Sequence, residues 1–155
     1  MSVTLELPWP PSVNHYLRHV ELPLTKFRCP ACQRFGKVRV ATLISSDGRD
    51  WLRAVDRLLV EKKLPLISGL LAVHITLHPP NRREIDVDNR GKPILDSLKR
   101  RPRDEKQLRW LFRDDDSQVK DLHTVFGPIV EGGLAVVKIT QIEGLPVQAE
   151  MFGVE

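Results

Sequence analysis

The chain has 155 residues, and 41% of them are hydrophobic, which is enough to bury the core of one domain. Its single pair of cysteines excludes a disulfide framework. No apolar stretch approaches the ~18 residues of a membrane span, and no basic segment followed by an apolar run opens the chain. We therefore expect a cytoplasmic protein without a membrane partner.

The formal net charge is +4, and its surplus is local. Between residues 99 and 113 there are seven Lys or Arg residues against two acidic ones. A basic run of this kind is typical of nucleic-acid binding, although a solvated basic loop has the same composition.

The first half of the chain predicts a strand, an irregular segment and a helix. Residues 2–7 alternate between apolar and polar, which predicts a half-buried strand that the prolines of residues 8–11 end. Residues 12–19 predict a loop or a short helical turn. Ser46 resembles an N-cap, and apolar residues at helical spacing then predict a scaffold helix that ends near residue 62, with its tryptophan in the core.

A Cys-x-x-Cys unit, Cys29 to Cys32, lies in a basic setting. Such a unit is half of a tetrahedral zinc site, and His15 and His19 could complete a Cys2His2 set. Two subunits could instead pool their cysteines, and a reduced tight turn without metal is the third interpretation. Residues 37–44 would be the strand that returns from this finger-like excursion.

Two carboxylates follow the second predicted strand, residues 70–77. Asp86 and Asp88 are two residues apart, so on an extended backbone their side chains leave on the same side, roughly 6–7 Å apart. Carboxylates aimed at one point repel each other unless a cation lies between them, and hard cations such as Mg²⁺ prefer oxygen ligands. The structural alternative is an acidic turn that is exposed to solvent and binds no metal.

The second half predicts a helix, a second acidic cluster and two strands. The helix should start after Asp88 with Asn89 as N-cap and end near Lys99, and Pro93 is tolerable there only in the first turn. Residues 118–126 and 134–142 have the patterns of two strands, and we expect them to form a hairpin.

The acidic residues 114–116, together with Lys92 and the basic run, complete the candidate site. Carboxylates that flank a lysine, beside a surface suited to DNA, favour metal-dependent phosphodiester chemistry. For Lys92 the structural alternative is an ion pair with Asp88 or Asp96 along the helix surface.

Three motifs in this order resemble the RusA-type Holliday junction resolvases. They are Leu7-Pro8-Trp9-Pro10-Pro11-Ser12-Val13-Asn14 with Arg18-His19, Asp86-Val87-Asp88-Asn89-x-x-Lys92, and Asp115-Asp116-Ser117-Gln118-Val119. The resemblance implies a small α/β (mixed α+β) endonuclease with a mixed sheet and two main helices, expected as a two-fold dimer. It would form one domain over residues 1–145, followed by a tail, 146–155. Two segments depart from the family pattern, the cysteine excursion at about 20–44 and a basic insertion at about 100–110.

The resemblance also implies a function and a set of site residues. The chain would cut four-way or branched DNA with Mg²⁺ or Mn²⁺, in recombination and repair. The catalytic residues would be Asp86, Asp88, Lys92 and Asp116, and the metal ligands Asp86, Asp88, Asp115 and Asp116. We expect Asn14 and Arg18 of the first motif to contact DNA, and the basic run adds Lys99, Arg100, Arg101 and Arg103 on account of its charge. Two alternatives remain, a non-catalytic zinc-finger-like nucleic-acid-binding module and a nuclease acting on other branched DNA.

Overall fold

The elements of the computed structural model follow the alternation of apolar residues along the chain. The structure describes residues 1–23, 38–83, 85–99, 110–113 and 116–142. The strands are β1 Ser2–Pro8, β2 Leu17–Pro23, β3 Val38–Ile44, β4 Leu71–His78, β5 Val119–Phe126 and β6 Leu134–Gln141. The helices are α1 Val13–Tyr16, α2 Ser46–Lys62 and α3 Asp88–Leu98, and a 3-10 turn spans Asp116–Gln118.

Four strands form a mixed sheet in the order β1-β6-β4-β5. Strand β5 runs parallel to β4, whereas β6 is antiparallel to both β4 and β1. The predicted hairpin of β5 and β6 is therefore wrong, because β4 lies between them. The connection, residues 127–133, crosses the end of β4, where Gly127 N donates to Leu77 O (2.8 Å) and Val130 N donates to Pro79 O (3.1 Å).

One face of this sheet is the core. Alternate residues of β1, β4 and β6 are buried on it, as the period of two predicts, and they pack against residues of α2 and α3. Trp51 lies in this core, as predicted, and its indole Nε1 donates to Pro8 O (3.1 Å). The described elements thus confirm a mixed α+β fold with two main helices, α2 and α3.

The opposite face of the sheet is open. There the rings of His74 and His123 stack, with centroids 5.1 Å apart and planes 8° apart. The second ring nitrogen of His123, Nε2, lies 3.5 Å from the Asp121 carboxylate. His74 therefore belongs to the exposed face, away from the acidic residues that precede α3.

Strands β2 and β3 pair into a separate antiparallel arm, with Leu17 opposite Ile44 at its base. The predicted return strand is confirmed, whereas β2 was not predicted. The N-cap of α2 is Ser45 rather than Ser46, since the Ser45 hydroxyl accepts from Gly48 N (3.0 Å). A Cβ on Gly48 would lie 2.7 Å from Tyr16 O, so only glycine lets α2 approach α1 this closely.

The N-cap of helix α3 lies two residues earlier than predicted. Val87 is its N-cap, and the side chain of Asn89 does not cap it, because Asn89 Nδ2 donates to Asp86 Oδ2 (2.8 Å). Pro93 lies inside the helix rather than in its first turn, and it is buried. A proline there removes one helical hydrogen bond.

Residues 110–113 tie the end of α3 to the segment before β4. Phe112 N donates to Leu98 O (2.9 Å) and Arg113 N to Ile67 O (3.0 Å). Leu111 is buried. Within the described ranges no helix combines the length and the apolar character needed to cross a bilayer.

Candidate active site

An open depression of about 660 Å³ lies where α3 begins. Asp86 and Asp88 line it together with Lys92, and the strand β5 supplies Leu122 and Thr124. The backbone at Val87 is helical (φ −65°, ψ −45°), so the assumed extended geometry is wrong. The start of α3 nevertheless brings both carboxylates to the same depression.

The helix start shapes this depression in two ways. Asn89 holds one oxygen of the Asp86 carboxylate, which restrains its orientation. The partial positive charge at a helix N-terminus also offsets part of the repulsion between Asp86 and Asp88, and it favours an anion nearby. A Cβ on Gly91 would lie 3.9 Å from Thr124 Oγ1, so helix and strand are close enough to form opposite walls.

Lys92 is paired with Asp96, one turn further along α3. Its Nζ lies 3.2 Å from Asp96 Oδ2, and Lys99 Nζ lies 3.1 Å from Asp96 Oδ1. The Asp96 side chain is only 13% exposed, whereas that of Lys92 is 52% exposed. Of the two ion-pair partners considered for Lys92, the structure selects Asp96. Lys99, expected on the DNA, shares the same carboxylate.

Arg90 joins the first motif to the second. Its guanidinium carbon lies 4.9 Å from the centroid of the Trp9 ring, and Nη1 donates to Pro10 O. Burial lowers the pKa of the Arg90 guanidinium. The proline-rich segment after β1 is thus held against the first turn of α3, through a residue two positions after Asp88.

The third motif is anchored by Gln118. This side chain is buried, and its Nε2 donates to Ile67 O (3.2 Å) and Gly69 O (2.8 Å). The 3-10 turn that begins at Asp116 is therefore fixed to the loop before β4. The Asp116 side chain and Asp115 are outside the described part of the chain.

The remaining predicted residues are distributed as follows. Asn14 and Arg18 are exposed, on α1 and at the start of β2. His15 is exposed, and His19 Nδ1 lies 3.1 Å from Thr42 Oγ1. Outside the described residues lie Cys29, Cys32, Arg100, Arg101 and Arg103. Among the residues that are described, no three His, Cys, Asp or Glu side chains converge on one point.

Sequence reasoning missed three contributors to the site. Thr124 and Leu122 carry no chemical signature, and only the parallel pairing of β5 with β4 brings them beside α3. Arg90 follows the carboxylates directly, but nothing in its spacing points to Trp9. Asp96 was not missed, because its spacing of four residues from Lys92 on a helix had already made it a candidate ion-pair partner.

Carboxylates and a lysine around an open depression at a helix N-terminus are the kinds of group that bind divalent cations and phosphates. The chain matches the family model described as endodeoxyribonuclease RusA over residues 8–140. It therefore belongs to the RusA endodeoxyribonuclease family.

Individual relatives agree with this assignment. The crossover junction endodeoxyribonuclease RusA of Shigella sonnei is 31% identical over 142 residues, which cover 91% of this chain and 96% of the relative. The protein of the same name from Escherichia coli K12 is 30% identical over an alignment of the same coverage. The enzyme of Enterobacteria phage 82 is 31% identical over 139 residues, 89% of this chain and 93% of its own length.

Proposed function

We propose that this protein resolves four-way DNA junctions by paired symmetric nicks, in recombination and repair. The observation that carries the proposal is the depression shared by Asp86, Asp88 and Lys92, in a chain that belongs to the RusA family. The crossover junction activity in the relatives' names supports the choice of substrate.

The donor chemistry of the site fits a divalent cation. Asp86 and Asp88 offer hard oxygen ligands in an open, water-accessible depression, which suits Mg²⁺ or Mn²⁺. We assign Asp115 and Asp116 to the same ligand set. When bound, the cation supplies Lewis acidity that stabilises negative charge on the phosphate.

Lys92 contributes a positive charge to the wall of the depression. Its side chain is half exposed, and Asp96 holds its Nζ at the helix surface, from which it can turn toward a phosphate. A cation placed there stabilises the charge that develops on the phosphate oxygens during displacement.

The DNA surface extends beyond the depression. Exposed Asn14 and Arg18 belong to the first motif, and the basic run 99–113 would add phosphate contacts. Binding through such contacts weakens steeply with salt. A four-way junction has two equivalent strands to cut, so a homodimer with one site per subunit matches its symmetry. We place this activity in the cytoplasm.

The test uses a labelled synthetic four-way junction with Mg²⁺, with EDTA and linear duplex as controls. Asp86→Asn should lower the nicking rate by about 100-fold or more, because it weakens a ligand at the reacting centre, and binding should persist. Asp50→Asn, an exposed carboxylate on α2 paired with Arg53, is the matched charge control and should leave nicking unchanged.

Retained cleavage by Asp86→Asn would remove that residue from the site. Tight binding without nicks, in both Mg²⁺ and Mn²⁺, would contradict the enzyme and support a nucleic-acid-binding module.

A further inference from the structure

A second groove adjoins the acidic depression. It measures about 340 Å³, and Ile85 lines both cavities. Phe126 and Ile129 form its apolar part, and Arg82 and Arg83 form its basic part. Its position beside the carboxylates makes it a neighbour of the phosphate that would be cut.

The apolar part of this groove is exposed to solvent. The fractional exposure of Phe126 is 44% and that of Ile129 is 48%. Large apolar side chains that remain open next to a functional site mark a binding surface. An aromatic ring of this kind offers a flat face on which a nucleobase can stack.

The basic part of the groove suits the phosphate group of a nucleotide. Arg82 and Arg83 are exposed, and within the described residues neither forms an ion pair. One hydrogen bond restrains their turn, from Arg83 N to Asn81 Oδ1 (3.1 Å). Guanidinium groups bind phosphate oxygens with good geometry, so the positive charge of this basic part complements a DNA strand.

The backbone that carries Phe126 is held in place by hydrogen bonds to the end of β4. Immediately after Phe126, Gly127 N bonds to Leu77 O, and His78 Nδ1 lies 2.9 Å from Pro128 O. These contacts fix the end of β5 and the following turn to the end of β4. A base that stacks on Phe126 therefore meets a surface that needs little ordering.

Distance along β5 relates the groove to the depression. Thr124 lines the depression and Phe126 lines the groove, two residues further on the same strand. Two residues of a strand span ~7 Å, and stacked nucleotides rise 3.4 Å each, so the groove lies within about two nucleotides of the cut phosphate.

We propose that this groove is a nucleotide subsite that takes one unstacked base of the cut strand onto Phe126, with Arg82 and Arg83 on the adjoining phosphate. The subsite rests on the proposed function, because it supposes that the strand runs past Asp86 and Asp88. A groove of this size admits a base but not a duplex, so the base must leave the stack. The branch point of a junction is where base pairs are most easily opened.

The experiment is a double-mutant cycle that combines one substitution in the protein with the removal of one base from the DNA. Wild type and Phe126→Ala are each titrated, in EDTA, with an intact junction and with junctions that lack a single base near the cut site. On the intact junction we expect Phe126→Ala to weaken binding by about 5- to 150-fold, the usual cost of one lost base stack. On the junction that lacks the docked base, the substitution should have no further effect.

Two variants control for other causes. Phe126→Trp keeps an aromatic face and should restore binding. Val125→Ala removes an apolar side chain of similar exposure (52%) from the adjacent position of the edge strand, on its other face, and should leave binding unchanged.

Equal losses on every junction would overturn the subsite, because the ring would then act independently of any base. A second outcome would also overturn the subsite: a wild type that sediments as a dimer and a Phe126→Ala variant that sediments as a monomer. The apolar patch would then be an interface between two copies. Nicking by the wild type is scored separately in Mg²⁺. A protein that nicks but shows equal losses retains the proposed function and loses only the subsite.

Discussion

The contact between Arg90 and Trp9 predicts a measurable coupling between the first and second motifs. Arg90→Ala removes a charge-assisted hydrogen bond to Pro10 O, worth roughly 1.5–3 kcal/mol. It also removes a partly desolvated cation–π contact, worth about 1–2 kcal/mol. The cost of burying the guanidinium, which also lowers its pKa, offsets part of this gain. We expect the free energy of unfolding to fall by about 2 kcal/mol.

The assay is urea denaturation of wild type, Arg90→Ala, Trp9→Ala and the double variant. Because the two side chains touch, the effects should not add, and a coupling free energy of about 1 kcal/mol is expected. Arg90→Lys keeps the charge but loses the planar group that stacks on the ring, so its stability should lie between those of wild type and Arg90→Ala.

Arg53→Ala is the matched control. Arg53 forms a 2.8 Å ion pair with Asp50 on the surface of α2, and both side chains are more than half exposed. Its loss should cost less than about 0.5 kcal/mol. A coupling between Arg90 and Trp9 below about 0.3 kcal/mol would refute the reasoning, because independent sites add to within that limit.

Four further outcomes follow from described contacts and from the sequence. Asp96→Asn should slow junction nicking more than it weakens binding, because it releases Lys92; equal losses in both assays would contradict a positioning role. Gly48→Ala should lower the midpoint of urea denaturation by the equivalent of about 1–3 kcal/mol despite the better helix propensity of alanine, since the new Cβ would overlap a backbone carbonyl. Gln118→Ala should cost about 1–3 kcal/mol by leaving two carbonyls without their donor, and an unchanged midpoint would contradict that anchor. If zinc is structural, elemental analysis of the purified protein should find it, and Cys29→Ser should release it; metal-free wild type would end that hypothesis.

Local patterns predicted most of the elements. The alternation in residues 2–7 and the helical spacing after residue 46 reflect burial of one face, which sequence periodicity records directly. Strand β2 was missed because its partner β3 is separated from it by fourteen residues. Its pairing depends on that distant strand rather than on its own pattern.

Pairing and capping were harder to predict than the elements themselves. Strands β5 and β6 are neighbours in sequence, yet β4 intervenes because its apolar face belongs in the middle of the core. Asn89 is a suitable capping residue, but the Asp86 carboxylate competes for its amide. The pairing error arises from tertiary contacts that override a local preference. The capping error arises from a competing contact three residues away in the chain.

The acidic pair was identified from its spacing, although the geometry assumed for it was wrong. What the sequence could not supply was the opposite wall, since Thr124 reaches α3 only through the parallel strand. The same limit applies to Phe126, which reads locally as one more apolar strand residue.

The carboxylate of Asp96 holds two ammonium groups, from Lys92 and from Lys99, on different oxygens. If Lys92 turns toward an incoming phosphate, Asp96 keeps Lys99 as a counter-ion and does not become an isolated charge of low exposure. Removing one partner of a buried ion pair usually costs free energy, because the other charge is left without a counter-ion. Lys99 prevents that cost here, since it stays paired with Asp96. Lys92 can thus move from Asp96 to a phosphate, while Lys99 remains paired with Asp96.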